Sequence, residues 1–229
     1  MAKEGSRYVE EKGYRVVYQG GSGEIEEKKS RFIATIRPVE SEEEAAAFIV
    51  EMKKKYWDAR HNCSAFIIGR NNELTRCSDD GEPSGTAGRP MLDVLLREGI
   101  HNAAVVVTRY FGGTLLGTGG LVRAYQGSVQ EGLRNCVLIC KQEGQILSVE
   151  TDYNGIGKLQ YFLGNHGLTV MDTEYMEAVR STIMVPIEQK VQIEEELTDI
   201  TGGQAKLTWG EKAEFAKIGK EIKIFQKTT

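Results

Sequence analysis

One stretch of the chain, Ala103 to Tyr125, joins a short apolar run to an amphipathic segment through a glycine-rich turn. The run from Ala103 to Val107 is short and rich in β-branched residues, which predicts a buried strand. After the turn, apolar side chains that recur every four residues predict a helix: Leu121, Tyr125, Val129 and Leu133. Thr118 is the predicted N-cap of that helix. The stretch therefore predicts a buried strand, a turn of small residues and a helix that starts beside the strand's end.

The turn between these elements has two alternative interpretations. In the first, the bare amides of a helix N-terminus bind an anion with the help of Arg109, whose guanidinium pairs with phosphate as a fixed fork. The residues that would contact phosphate are Gly112, Gly113, Thr118, Gly119, Gly120 and, one turn further along the helix, Arg123. In the second, the glycines only pack a tight crossover. The stretch is not a P-loop, because no Gly-Lys-Ser/Thr follows the glycines, and it is not a dinucleotide fingerprint, because Val122 replaces the third glycine.

The two aromatic residues beside Arg109 extend the anion-binding interpretation to nucleic acid. Tyr110 and Phe111 alternate in an extended chain, so one of them should face outward. An outward ring stacks on an unpaired base, whereas the alternative for Phe111 is packing in the core. Arg31, in the basic cluster Lys28-Lys29-Ser30-Arg31, is a further candidate for binding phosphate, and a solvated charged face is the alternative for that cluster.

A second candidate site is the polar loop from Asp79 to Gly88, because long ordered loops are often functional. Its carboxylates, Asp79, Asp80 and Glu82, are candidates for acid or base roles or for holding a divalent ion, although the calcium-loop spacing is absent. Alternatively, the hydroxyls of Ser84 and Thr86 receive a phosphate together with backbone amides.

Composition places the chain among ordinary globular proteins. Its 229 residues suggest one or two domains, and its net charge of −4 argues against a globally basic nucleic-acid binder while leaving room for a local basic face. No apolar run approaches the ~18 residues of a membrane span. The N-terminus lacks the apolar core of a signal peptide, so we expect a cytoplasmic protein with no membrane partner.

The cysteines and histidines predict no metal and no cofactor. The four cysteines, at positions 63, 77, 136 and 140, form no Cys-x-x-Cys pair and have no histidine at zinc-ligand spacing, so we expect buried reduced thiols. His61 and Cys63 lie two apart in a predicted strand and would share a face, but a structural role is favoured over a nucleophile pair. His101 and His166 lie by predicted helix ends and are also expected to be structural.

The remaining pattern predicts two α+β domains, at residues 1–140 and 145–229. In the first, we expect a turn at 20–23 and two strands between residues 24 and 37, with a basic loop or bulge at 28–31 between them. A helix with a capping box at Ser41 and Glu44 and strands at 62–69 and 74–78 should follow. Residues 141–144 are the predicted boundary. From position 145 the order strand–helix–strand–strand–helix–strand is that of a ferredoxin-like domain. The tail, residues 212–227, is either a mobile end or a strand that crosses back.

The residues from position 88 to 117 resemble the signature of the YigZ/IMPACT family. The pattern is Gly88-x-x-Met91-Leu92-x-x-Leu95, then Ile100, then Val106-Val107-x-Arg109-Tyr110-Phe111-Gly112-Gly113-x-x-Leu116-Gly117. The segments 29–33 and 79–83 also resemble those that flank this signature in the family, and the resemblance covers about residues 14–135. Residues from 145 to about 210 are similar to the small C-terminal domain of bacterial members, which resembles the ferredoxin-like end of elongation factor G.

This resemblance implies a fold and a class of partner. The family's N-terminal domain is an α/β sandwich similar to the second domain of ribosomal protein S-five and to domain IV of elongation factor G, domains that meet RNA or the ribosome. Eukaryotic relatives regulate translation initiation through an additional N-terminal domain, which we do not expect before Tyr14 here. The resemblance does not imply a specific activity for bacterial members.

Three functional hypotheses follow. The leading one is a translation-associated regulator that binds RNA, the ribosome or another phosphate-bearing ligand. The second is an enzyme acting on a nucleotide or phosphorylated substrate, with the loop carboxylates as acid, base or metal ligands. The third is a regulator that binds a protein partner without contacting nucleic acid.

Overall fold

The computed structural model describes residues 13–219 and 221–225, which separate into two compact units. One unit runs from Tyr14 to Ile139, and the other begins at Cys140. Each unit combines helices with an antiparallel sheet, and this confirms the predicted two-domain α+β fold class. Among the described residues, no helix has the length and apolar character that crossing a membrane requires.

Seven strands and three helices form the first unit. Five strands make an antiparallel sheet in the order β2-β3-β7-β4-β5, and β1 pairs with β6 in parallel. In chain order the elements are β1 (Tyr14–Gln19), β2 (Gly21–Glu27), β3 (Ser30–Pro38), α1 (Glu42–Lys55), β4 (His61–Ile68), β5 (Leu74–Ser78), α2 (Gly88–Arg97), β6 (Ile100–His101), β7 (Ala103–Tyr110) and α3 (Gly117–Arg134).

The central strand β7 is apolar because both of its faces are covered. Val105 and Val107 lie in the cluster that also contains buried residues of α2 and α3. Ala104 and Val106, which alternate with them, lie in the cluster that contains buried residues of α1. The helices therefore cover opposite faces of the sheet, and the unit is an α/β sandwich of the kind the resemblance implied.

Local turn and cap chemistry was predicted in part. The side chain of Ser41 caps α1 by accepting a hydrogen bond from the amide of Glu44 at 3.2 Å, as predicted. The turn predicted at residues 20–23 is wrong, because β2 begins at Gly21 and a Cβ on Gly23 would lie within 3 Å of the α3 backbone. The hairpin formed by β2 and β3 turns at Lys28 and Lys29, within the predicted basic loop, and both residues have positive φ (48° and 66°). A two-residue turn with positive φ matches the twist of the flanking strands.

The second unit has the predicted ferredoxin-like order. Its sheet runs β9-β10-β8-β11-β12, with every neighbouring pair antiparallel, and the first four strands carry the strand order of that fold. Its elements are β8 (Val137–Thr151), α4 (Ile156–Asn165), β9 (Val170–Tyr175), β10 (Val179–Pro186), a 3₁₀ helix (Ile187–Gln189), α5 (Lys190–Thr201), β11 (Lys206–Ile218) and β12 (Glu221–Phe225).

Two predictions for this unit concern the segment at 141–144 and the tail. Residues 141–144 lie inside β8, because the strand continues through them and pairs with β11 up to Gln142. The tail forms the second half of β11 and the strand β12, which pair with each other, so of the two predicted alternatives the structure shows the strand that crosses back. Residue 220 and residues 226–229 of that tail lie outside the described residues, as do residues 1–12.

Candidate functional site

A buried polar cluster ties the two candidate segments together at the carboxyl end of β7. The Nη1 atom of Arg109 donates to Oε1 of Glu82 at 2.7 Å, and both side chains are almost fully buried, at 8% and 3% exposure. The hydroxyl of Tyr125, in α3, donates to the same oxygen at 2.8 Å. The cluster of Arg109, Glu82 and Tyr125 therefore joins β7, the loop that follows β5, and α3.

This pairing changes the interpretation of Arg109. Its guanidinium was predicted to meet phosphate, but its charge is already matched by Glu82 in a buried site. The guanidinium lies 5.4 Å from the ring centre of Phe32 and 5.7 Å from that of Phe111. Its Nε atom is buried, and the described residues offer it no hydrogen-bond acceptor. In this arrangement Arg109 anchors the start of the glycine-rich turn through its ion pair with Glu82. A phosphate could bind the guanidinium only by displacing the Glu82 carboxylate.

Cys63 and His61 do not form a nucleophile pair. The thiol of Cys63 lies 3.3 Å from the hydroxyl of Tyr125 and 2.9 Å from the carbonyl of Asp79. Burial raises the pKa of Cys63 to about 12, so the thiol stays protonated. His61 instead contacts the carbonyl of Asp80 through Nδ1 at 3.0 Å. Both residues are therefore part of the packing beneath the loop. Of the other thiols, Cys77 is exposed, which differs from the predicted burial.

The three carboxylates of the loop each have a different partner. Asp79 accepts hydrogen bonds from the amides of Gly85, Ala87 and Gly88 at 2.8–3.0 Å. Burial raises the pKa of Asp79, but these amide hydrogen bonds outweigh it, and the net pKa lies below the usual value. Asp80 accepts from the amide of Asn62 and from the ammonium of Lys53. Glu82 accepts from Arg109. The three carboxylates therefore hold the loop in place through separate partners and do not converge on one site.

Because the three carboxylates have separate partners, the loop does not present them together to an ion. Across the part of the chain that the structure describes, no group of three acidic, histidine or cysteine side chains is arranged to hold a metal ion. The hydroxyl of Thr86 is buried and donates to the carbonyl of Pro83 at 2.6 Å, so it is already engaged within the loop. Ser84 is exposed, and its predicted phosphate contact stays a prediction.

The glycine-rich turn begins with a close contact between backbones. Gly112 packs directly on the backbone of Lys29 and Ser30, and its amide donates to Oγ of Ser30 at 3.1 Å. The next residue, Gly113, has a φ of 85°, and the position that a Cβ would occupy is open, with no atom within 4 Å. The turn is therefore fixed to the β2–β3 hairpin on one side, while its glycines are exposed or half-buried on the other.

The start of α3 has no side-chain cap. The helix begins at Gly117 with Leu116 in the N-cap position, so the prediction that Thr118 is the N-cap is wrong. Gly117 has a φ of 72°, and this turn places Thr118 inside the first helical turn instead of before it. The first turn also contains no acidic side chain. The amides around Thr118, Gly119 and Gly120 are consequently not satisfied by a capping side chain.

Three cations lie around this helix start. Close contacts of Gly23 with Glu131 and of Ile25 with Gly127 show that β2 runs antiparallel to α3, which brings the β2–β3 turn towards the start of the helix. We name the basic rim after its three exposed residues, Lys28, Lys29 and Arg123. Arg123 lies close to Gly119, and Gly112 packs on Lys29. Within the described ranges no residue forms a hydrogen bond or ion pair with a side chain of the basic rim.

The aromatic residues of the turn are also at the surface. Phe111 is 52% exposed, so it does not pack in the core. Tyr110 is half-buried, and its hydroxyl donates to Oδ1 of Asp58 at 2.8 Å. Burial and this carboxylate raise the pKa of Tyr110. The guanidinium of Arg31 lies 5.8 Å from the Tyr110 ring and forms two hydrogen bonds with Glu24, so its predicted phosphate contact would compete with an ion pair.

Sequence reasoning missed two features of this end of the sheet. One is the partnership of Glu82 and Tyr125 with Arg109, for which no local spacing gives a signal. The other is Trp57, which follows α1 and is 82% exposed. A local signal for Trp57 existed, because a Tyr-Trp pair directly follows the three lysines at the end of the predicted helix.

Both units of the chain match known families. The family described as "Impact N-terminal domain" matches residues 28–133, and a domain of unknown function, DUF1949, matches residues 149–204. The IMPACT family member YvyE of Bacillus subtilis (strain 168) is 40% identical over 210 residues, which cover 92% of this chain and 97% of the relative. The IMPACT family member YigZ of Escherichia coli (strain K12) is 35% identical over 182 residues, covering 79% and 89%.

A solved structure has a similar fold. A crystal structure of a hypothetical protein is 32% identical, has a TM-score of 0.55 and covers 87% of this chain and 98% of its own. Every residue of the buried cluster and of the basic rim lies within residues 28–133, which match the Impact N-terminal domain.

The contact of Gly112 with the β2–β3 hairpin gives a first prediction. A Cβ on Gly112 would overlap the Lys29 carbonyl group and the Ser30 amide, so Gly112→Ala should lower the free energy of unfolding by about 3 kcal/mol. The matched control is Gly113→Ala, which meets no neighbour and should cost about 1 kcal/mol through its positive φ alone. Equal losses for both variants, measured by urea denaturation, would contradict the close packing.

The amide hydrogen bonds of Asp79 give a second prediction. Asp79→Asn should lower the free energy of unfolding at pH 7 by about 1–3 kcal/mol, since an amide group cannot accept all three bonds equally. Because the folded-state pKa of Asp79 is lowered, the wild-type advantage should be complete above about pH 4 and disappear as the pH falls through that lowered pKa.

The measurement is urea denaturation of both proteins between neutral and acidic pH. The control is Asp93→Asn, whose carboxylate pairs only with the exposed Arg89 one helical turn away and should contribute less than about 0.5 kcal/mol. A difference between wild type and Asp79→Asn that does not change with pH would show that the carboxylate charge does not hold the loop.

Proposed function

Because the chain belongs to the IMPACT family, we propose that it is a cytoplasmic, translation-associated regulator that binds RNA phosphates of the ribosome. The support from the sequence is the resemblance to domains that meet RNA or the ribosome. The support from the structure is the basic rim, in which three exposed cations without a partner among the described residues lie beside an uncapped helix start.

The basic rim is the single observation on which this proposal depends. Most other arginines of the first unit are engaged by carboxylates, as Arg37 is by Glu51 and Arg76 is by Glu42. Lys28 and Lys29 are instead held on a tight turn that points two ammonium groups into solvent. A cation with no internal partner keeps its full attraction for phosphate, because no ion pair has to be broken on binding.

The helix start adds a second, directional attraction. In the proposed complex, the amides of Thr118, Gly119 and Gly120 donate to one phosphate, and Arg123 binds the same group or the next one along the strand. Gly113, which has open space where a Cβ would lie, lets the RNA backbone approach closely. Arg109 contributes indirectly, by fixing the base of the turn through Glu82.

A net charge of −4 is compatible with this proposal, because association depends on the local field. The acidic total instead limits binding to surfaces that the basic rim can reach, which favours a specific site on the ribosome over general coating of RNA. The enzyme hypothesis receives no support from the loop, since each of its carboxylates has an internal partner.

The test is charge reversal on the basic rim. Binding of the protein to purified ribosomes and to fluorescein-labelled ribosomal RNA fragments is measured between about 50 and 200 mM salt. Lys28→Glu combined with Lys29→Glu should weaken binding about tenfold at the low-salt end. It should also reduce the slope of log affinity against log salt by about 1.4, since each contact with a single strand contributes about 0.7.

The matched control reverses two exposed lysines in the second unit, Lys158→Glu with Lys206→Glu, which changes the net charge equally. Affinity that does not depend on salt, absence of binding at low salt, or equal weakening by both double variants would contradict the proposal. Ribosome binding that survives complete nuclease digestion of the RNA would favour the protein-partner hypothesis instead.

A further inference from the structure

Trp57 lies at the same end of the sheet as the basic rim. Its side chain is 82% exposed, the most of any aromatic residue among the large apolar side chains exposed in the described residues. Exposing an indole to water forgoes a large apolar contribution to stability. Because the ring is exposed, it contributes little to packing in the sandwich, and a role in binding a ligand accounts for an indole at this position better than a structural role.

The backbone that carries Trp57 is fixed on both sides. The amide of Tyr56 donates to the carbonyl of Met52 at 2.9 Å, and the amide of Ala59 donates to the carbonyl of Tyr56 at 3.0 Å. The next residue, Asp58, accepts from the hydroxyl of Tyr110 at 2.8 Å. Trp57 is therefore presented to solvent from a constrained turn, and little conformational entropy is lost when a ligand meets it.

The hydrogen bond between Asp58 and Tyr110 connects this turn to the glycine-rich turn. Tyr110 is the last residue of β7, and its β3 neighbour across the sheet is Arg31. The path from Trp57 through Asp58 and Tyr110 thus ends next to the β2–β3 hairpin that carries Lys28 and Lys29. A single strand that follows this edge would meet the indole and the basic rim in succession.

Cations flank Trp57 in the sequence. The last turn of α1 is Lys53, Lys54 and Lys55, and Arg60 is exposed three residues after Trp57. Lys53 pairs with Asp80 and Lys55 lies over the Tyr56 ring, but in the described parts of the chain neither Lys54 nor Arg60 has a hydrogen-bond or ion-pair partner. The segment that carries Trp57 therefore combines an exposed indole with two exposed cations at positions 54 and 60.

The chemistry of this patch favours nucleic acid over protein. Lysine is depleted from protein–protein interfaces, where aromatic anchors are surrounded by uncharged residues. Sites for single-stranded nucleic acid combine an aromatic ring, on which a base stacks, with cations that follow the phosphates. Double-stranded RNA offers no such base, because its bases are stacked on one another.

We propose that Trp57 stacks on an unpaired base of single-stranded RNA, while Lys54 and Arg60 contact the flanking phosphates. This inference rests on the proposed function, and it adds a requirement for a single-stranded segment next to the phosphates bound at the basic rim. A duplex should reach the basic rim but gain nothing from Trp57.

The test compares single-stranded and duplex RNA by fluorescence anisotropy at low salt. Trp57→Ala should weaken binding of a fluorescein-labelled oligouridylate about 5- to 150-fold, the effect of losing one stacked base, and leave the affinity for a labelled RNA hairpin stem nearly unchanged. Trp57→Phe should retain most of the affinity, because it keeps an aromatic face. Tyr161→Ala is the matched control, since Tyr161 is 74% exposed in the second unit.

A second measurement reports on the ring itself. The chain has two tryptophans, so in a Trp209→Phe background the intrinsic fluorescence comes from Trp57 alone. Oligouridylate should quench this fluorescence, and the hairpin stem should not. Unchanged circular dichroism and thermal unfolding of Trp57→Ala would show that the fold is intact, as expected for an exposed side chain.

The outcomes separate the inference from the proposed function. If Trp57→Ala binds oligouridylate like wild type while the Lys28 and Lys29 reversals weaken it, the inference is wrong and the proposed function stands. If Trp57→Ala loses ribosome binding but not oligouridylate binding, the indole contacts protein, and the inference is again wrong. If wild type binds no RNA at low salt, the proposed function fails and the inference fails with it.

Discussion

The buried ion pair between Arg109 and Glu82 determines how this end of the first unit is built. Two opposite charges removed from water are stabilising only with good geometry and additional hydrogen bonds, and here Tyr125 supplies one. Arg109 is the penultimate residue of β7, Glu82 lies in the loop after β5 and Tyr125 lies in α3. One group of contacts therefore sets the relative positions of three segments that are distant in sequence. The glycine-rich turn begins directly after this anchored strand end.

In this arrangement the buried polar groups hold the loop in place, and different, exposed groups are available to bind a ligand. The carboxylates of Glu82 and Asp79 accept hydrogen bonds from Arg109 and from the amide of Gly88, and these bonds hold the loop in place. The groups with no internal partner among the described residues, such as Lys28 and Arg123, lie at the surface beside the uncapped start of α3. A rigid base beneath a charged, glycine-rich surface is suited to meeting a phosphate backbone without rearrangement, which is the physical basis of the proposed function.

The sequence predicted the elements better than it predicted the site. The run 103–107 and the four-residue period from Leu121 gave the central strand and its helix because these patterns depend on local burial. The cap at Ser41 was found because a capping box is local as well. The pairing of Arg109 with Glu82 could not be found, since its members are 27 residues apart and nothing local in either segment encodes the other. Thr118 was misplaced as an N-cap because the positive φ of Gly117 shifts the helix start.

The most direct test of this account is a double-mutant cycle on the buried pair, measured as the free energy of unfolding in urea. Arg109→Met and Glu82→Gln should each cost about 3–5 kcal/mol, because each leaves a buried polar partner unmatched. The double variant should lose clearly less than the sum of the two single losses, by about 1–3 kcal/mol. Additive losses, or single variants as stable as wild type, would show that the ion pair does not hold the three segments together.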